Sequence, residues 1–248
     1  MNGAGAGTPW QPDGPQDFRT THWSVVLTAS QDHHPQAEEA LATLCRAYWR
    51  PLYGYGRRLG YAQADAQDLT QAFFARLLER RLFKRAEQDR GRFRTFLLTA
   101  FKHFAVNEWK KAQAVQRGGR FSFVSWDDVD AEGGFQAEME LSPEKAFEKR
   151  WAQCLLDAVL RRLRAEAETS NRVPLFERLK EYLWGEAGQA TYASIASELG
   201  LTPTAVKVAA HRLRQRFREV LRAEIAHTVT TESDIDDELR HLFDVVSG

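Results

Sequence analysis

Cysteine is scarce in this 248-residue chain: only Cys45 and Cys154 occur, far apart and without a ligand spacing. That excludes a disulfide scaffold and a CxxC-type metal site, and predicts two reduced structural thiols. The seven histidines form no HxxxH-like pair, and His33 and His34 are simply polar neighbours, so no metal or other cofactor is expected. Long apolar runs are missing too. No stretch approaches the roughly 20 apolar residues that a membrane-spanning helix needs, and the first residues carry neither the basic nor the apolar part of a secretory signal. The expected location is therefore the cytoplasm, without membrane insertion. Net charge is also lacking, because 34 Lys and Arg offset 34 Asp and Glu. Spread evenly, that balance would argue against a polyanionic partner.

The charge is not spread evenly. From Arg76 to Arg117 there are 12 basic and four acidic residues, whereas from Asp127 to Glu148 one basic residue faces eight acidic ones. The contrast repeats later, with six basic and one acidic residue from Val206 to Arg222, then one and six from Thr230 to Gly248. Local basic surfaces separated by acidic segments can meet a nucleic acid while limiting indiscriminate attraction.

Met1 to Gln16 holds four Gly and three Pro without a helical period and reads as a flexible leader. Helical patterns follow. Leu41, Leu44, Cys45, Tyr48, Leu52 and Tyr55 make one apolar stripe, in which Pro51 predicts a bend or a new start. In ADAQDLTQAFFARLLERRLF, Leu69, Ala72, Phe73 and Leu77 share a face, with Asp68 and Gln71 on a polar one. Asp65 or Asp68 suits a helix cap, and their DxxD spacing has no complementary catalytic partner, so no catalytic residue is expected. A basic connection from Phe83 to Arg94 leads into TFLLTAFKHFAVNEWKKAQAVQ, whose Phe96, Leu97, Ala100, Phe101, Phe104, Ala105, Val106 and Trp109 predict a long core-facing helix. Trp109 has two open roles there, core support or a base-stacking surface. Gly118 and Gly119 end that pattern, and an acidic linker with Phe121, Phe123 and Trp126 as docking anchors follows.

The second half opens on Ser142 as N-cap and Pro143 at the first helical position. Phe147, Trp151, Leu155, Leu156, Val159, Leu160 and Leu163 then give an amphipathic helix, which the SNRVP interval ends. The most specific device is YASIASELGLTPTAVKVAAHR. Ile195, Ala196, Leu199 and Leu201 suit the inside of a helix-turn-helix, Gly200 relieves the turn, and Thr202 with Pro203 starts a second helix packed through Val206, Ala210, Leu213 and Phe217. Thr202 is placed to hold a phosphate, and Thr204, Lys207 and Val208 to approach base edges. Arg212, Arg214 and Arg216 read as contacts to the polymer backbone. After Thr228, Ile235, Leu239, Leu242, Phe243 and Val246 form an apolar stripe beside an acidic face. That tail has three open roles: packing on the second domain, covering the basic recognition surface, or meeting an external partner.

Together, DAQDLTQAFFARLL, RFRTFLLTAFKHFAVNEWKK and YASIASELGLTPTAVKVAAHRLRQRF resemble, in this order, regions two and four of the bacterial sigma-70 family, particularly its small extracytoplasmic-function (ECF) group. The resemblance runs from about Phe18 to Thr228. It implies an all-α fold of two helical domains joined by a linker: a leader at 1–17, region 2 at 18–117, an acidic linker at 118–142, region 4 with its helix-turn-helix at 143–227, and an acidic tail at 228–248. It also implies a non-enzymatic factor that binds core RNA polymerase and opens promoter DNA. Asp68 and Gln71 match the polymerase-contacting DLxQ. The Arg85–Phe93 connection, with Arg85, Arg90 and Arg92, matches the loop that captures an exposed minus-ten base, and His103, Asn107, Lys110 and Lys111 match the minus-ten face. Thr202, Thr204, Lys207, Val208, His211, Arg212 and Arg214 fall on the minus-35 reader. His103 and Asn107 stand where Asn and Asp are common, and Val208–Ala209 where Ser–Arg is common, so the base sequence read is not implied. An anti-sigma protein or the acidic tail is the implied regulator. The alternative is a stand-alone helix-turn-helix transcriptional regulator.

Overall fold

A computed structural model describes residues 35–79, 92–115, 141–184, 191–229 and 231–247. Among them every regular element is helical, in keeping with the all-α expectation: α1 (Pro35–Arg58), α2 (Gln63–Glu79), α3 (Phe93–Val115), α4 (Pro143–Thr169), α5 (Val173–Leu179) with a 3-10 turn (Lys180–Leu183), α6 (Tyr192–Leu199), α7 (Pro203–Ala226) and α8 (Glu232–Ser247). The leader, most of the basic connection and the acidic linker lie outside the described residues.

Helix α1 runs unbroken through Pro51, where a bend or restart was expected. The missing N–H forfeits one helical hydrogen bond. Cys45, Tyr48, Leu52 and Tyr55 lie buried on both sides of it, and that packing outweighs the local defect. The same helix lies against α4, and at Gly54 the fit is tight: a Cβ there would sit 2.5 Å from Arg150 Cδ.

Helices α2 and α3 close the first half around aromatic rings. Phe73 meets Phe101 edge-on at 5.1 Å, and Tyr48 meets Phe93 in the same way at 5.1 Å. Leu69, Phe73 and Leu77 are buried as expected, but Ala72 is exposed, and Phe74 takes its place in the core. In α3, Leu97, Phe101, Phe104 and Ala105 are buried, whereas Val106 and Trp109 are 50% and 43% exposed. The core support open to Trp109 is therefore not its role. Position 109 lies four residues, or 400° of helical turn, beyond the buried Ala105, so it clears the edge of the inward face.

The second half begins as the capping residues dictate. Ser142 Oγ accepts from the Lys145 amide at 3.3 Å, with Pro143 opening the helix. Asn171 ends α4 with a φ of 52°. Helix α7 then belongs to two cores. Val206 and Ala210 pack with Ile195, Ala196, Leu179 and Tyr182 in a small helix-turn-helix cluster. About two turns further, Phe217, Val220, Leu221 and Ile225 join a large cluster that also holds Tyr48, Phe101, Phe147 and Trp151. Helices α1 to α3 thus share one apolar cluster with α4, the later turns of α7 and α8, beside the smaller helix-turn-helix core.

The tail helix α8 packs on α4 and α7. Ile235 and Leu242 are buried, but Phe243 and Val246 are 55% and 51% exposed, so the apolar stripe is narrower than its sequence suggests. The residue that completes the buried face is Glu238, with no exposure at all. Thr202, Thr204, Lys207, His211 and Arg212 stay exposed, so α8 does not cover the recognition surface.

Candidate nucleic-acid and polymerase interface

Helix α2 presents Asp68 and Gln71 outward, three residues apart and hence on one side. The opposite side is fixed by Leu69, Phe73 and Leu77, and Thr70 turns its hydroxyl inward to the Ala66 carbonyl at 2.7 Å. This leaves a rigid polar ridge suited to another protein.

On α3, His103, Asn107, Lys110 and Lys111 are all exposed, and their spacing of three to four residues aligns them along the helix. Lys111 is held by Glu108 at 2.6 Å, an exposed pair of little strength. Lys102, beside this track, bonds Glu144 at 2.7 Å. Hydrogen bonding from Lys102, with a backbone amide, holds the Glu144 carboxyl below its ordinary 4.5. Next to the track lies a groove of about 510 Å³ lined by Tyr55, Leu59, Tyr61, Val106 and Trp109. Sequence reasoning missed this groove, because its walls come from the α1–α2 turn and the flank of α3, which are distant in the chain. Arg85 and Arg90 lie outside the described residues. Arg92 faces inward to α8, 3.1 Å from Glu238 and 3.5 Å from Asp237.

The helix-turn-helix is built by its turn residues. Thr191 Oγ1 accepts from the Ser194 amide at 3.2 Å to start α6, and Gly200 ends it at φ 64° in the left-handed region. Thr202 Oγ1 accepts from the Ala205 amide at 3.2 Å and Pro203 follows, so α7 starts where the sequence predicts. Thr204, Lys207, Val208 and His211 are exposed at i, i+3, i+4 and i+7, with Arg212 beside them. Beyond Arg212, two of the basic residues turn to the protein itself. Arg214 donates from Nε to the Tyr182 carbonyl at 2.9 Å. Arg216 holds Glu166 through two bonds of 2.9 and 2.8 Å and Glu219 through a third of 3.0 Å. The Arg216 bonds keep the Glu166 carboxyl below its ordinary 4.5. Lys207, His211 and Arg212 thus face outward on the first half of α7 and Arg218 does so further along, while Arg214 and Arg216 brace the protein itself.

Burial pushes the Cys45 thiol from 9.0 up to about 12, and it raises Cys154 as well, as neutral packing residues require. Among the described residues no group of three or more His, Cys, Asp or Glu is placed to hold a metal ion. Among them, too, no helix is long and apolar enough to cross a membrane.

Against known proteins, residues 44–115 match the family model "Sigma-70 region 2". No curated protein and no solved structure matches the chain significantly. The matched span holds α2, α3, most of α1, the Asp68–Gln71 ridge and the His103–Lys111 track. Residues 44–115 are thus a sigma-70 family region-2 domain, a non-catalytic DNA-interacting domain, which is consistent with a role in transcription initiation.

Proposed function

We propose that the chain is an ECF-type sigma factor, which binds core RNA polymerase and selects promoters at two elements. In this reading residues 18–117 act as the polymerase and minus-ten domain, 143–227 as the minus-35 domain, 118–142 as their linker and 228–248 as an acidic tail. Asp68 and Gln71 contact the polymerase. Arg85, Arg90, Arg92, His103, Asn107, Lys110 and Lys111 serve the minus-ten element, with Arg92 released from α8 to do so. Thr202, Thr204, Lys207, Val208, His211 and Arg212 serve the minus-35 element, while Arg214 stays on the Tyr182 carbonyl, and polymerase itself performs the nucleotide chemistry. The site of action is the cytoplasm.

One observation carries the reading: a region-2 domain is followed in the same chain by a helix-turn-helix whose capped second helix exposes Lys207, His211 and Arg212. Phosphate contacts from the helix start would set register, and the side chains at 204, 207 and 208 would read base edges. The test is reconstitution of the purified chain with bacterial core polymerase, followed by transcription from mapped promoters. Specific initiation supports the sigma reading. Duplex binding without any polymerase binding favours the stand-alone regulator.

A further inference from the structure

The contact between α8 and α3 is built differently from the rest of the interior. Glu238, wholly buried, accepts at Oε1 from Arg94 Nε at 2.9 Å and at Oε2 from Arg94 Nη2 at 3.2 Å, with Arg92 Nε paired to Oε2 at 3.1 Å. Arg94, itself 5% exposed, also bonds Glu148 from α4 and lies 4.7 Å over the Trp151 ring. The other Glu148 oxygen meets His241 of α8 at 2.9 Å. Beside them the Phe93 amide donates to the Thr228 carbonyl just past α7, at 3.0 Å. One knot of charge and backbone therefore joins α3 of the region-2 domain to α4, α7 and α8.

We propose that α8 is an intramolecular latch: Glu238 fastens the start of α3 to the second half of the chain, and must leave before the two halves can separate onto two promoter elements. The inference rests on the sigma reading above, which puts roughly 25 base pairs, or about 85 Å of duplex, between those elements. A compact body of this chain length has a radius of gyration of about 18 Å and spans roughly 45 Å. The closed arrangement, with its common core, is too small to hold both elements at once.

The chemistry of the knot suits a latch. Losing one partner strands a buried charge, so the knot resists piecemeal fraying. Opening it completely returns every charge to water, which offsets most of the attraction lost. The remainder of α8 is fastened by Ile235 and Leu242, buried in the shared core, and by pairs nearer the surface, Asp236 to Arg222 at 2.5 Å and Asp237 to Arg92 at 3.5 Å, which water competes with readily. This is control by tethering, since the recognition residues of α7 remain uncovered.

The test is a distance measurement by pulsed electron spin resonance on the full chain. Labels go at Ala75→Cys on α2 and Ser197→Cys on α6, both exposed, with Cys45→Ala and Cys154→Ser removing the native thiols. The otherwise unsubstituted chain should give one short distance, which lengthens by tens of Å on adding core polymerase. Glu238→Gln should populate the long distance without polymerase and bind polymerase about fivefold tighter or more. A Glu238→Gln chain that stays closed, or that opens without gaining affinity, overturns the latch; so does a polymerase complex that keeps the short distance. Should the variant fail to fold, hydrogen exchange at the Phe93 amide of the unsubstituted protein decides instead. Protection lost on polymerase binding supports the latch, and protection retained overturns it. If neither chain binds polymerase, the sigma reading fails, while the free-chain distances still decide whether Glu238 holds the halves together.

Discussion

Both carboxylate oxygens of Glu238 grip the guanidinium of Arg94, 2.9 Å to Nε and 3.2 Å to Nη2, although the two residues stand 144 positions apart in the chain. A buried pair of this kind is costly to break from one side. Glu238→Ala is expected to destabilise the protein by about 3–5 kcal/mol, because Arg94 keeps only Glu148. Asp236→Ala, on the same helix as Glu238, removes an exposed pair with Arg222 of α7 and should cost under about 1 kcal/mol. Urea unfolding of the two variants checks the contrast, and equal losses would contradict it.

The Asp68–Gln71 ridge should matter for a partner and not for the fold. Both side chains are exposed on α2, so Asp68→Ala with Gln71→Ala should leave the melting temperature within about 2 °C of the parent. Affinity for core polymerase should fall about tenfold or more if these residues are anchors of the interface. Binding titrations beside thermal melts separate the two effects.

Along α7, Lys207 and Arg216 should differ in function. Lys207→Ala is expected to weaken duplex binding and to lower the salt slope by about 0.9 for the lost phosphate contact, or by less if Lys207 reads a base. Arg216→Ala should instead lower stability by about 1 kcal/mol, discounted for its partial exposure, and leave the salt slope unchanged. Affinities measured from low to high salt, with melts on the same samples, test this division.

Much of this was legible in the chain because its cues are local. Ser142–Pro143, Thr202–Pro203 and Gly200 act within a few residues of themselves, and α4, α6 and α7 start or stop where they predict. The exposed track of α3 followed from spacing alone. What was not legible depends on partners far away in sequence. Pro51 reads as a breaker until α4 is laid against it. Arg214 and Arg216 read as DNA contacts until Tyr182 and Glu166 come within bonding distance. Glu238 offered a signal: it sits three residues after Ile235 and four before Leu242, inside the apolar stripe. A carboxylate there implies a buried cation, but the sequence does not say which one.

The pH profile should show a plateau with two edges. Cys45 is raised when folded, from 9.0 to about 12, so its contribution is complete below pH 9 and is lost as pH climbs toward 12. Burial raises Tyr48 and Tyr55 in the same sense. Glu144 and Glu166 are lowered when folded, so their contribution is present above 4.5 and lost as pH falls below it. Both are partly exposed and solvent-screened, which makes the acid edge shallow. Urea midpoints from acid to alkali trace the edges, and alkylation of Cys45 in the native protein at pH 8 would contradict its burial.

The most direct measurement is run-off transcription with purified core polymerase, the full chain and a library of promoter fragments. The account predicts initiation at a defined subset of fragments, dependent on the chain, abolished by Asp68→Ala with Gln71→Ala and weakened by Lys207→Ala. Initiation that is indifferent to the chain, or duplex binding that proceeds with no association with polymerase, would contradict it.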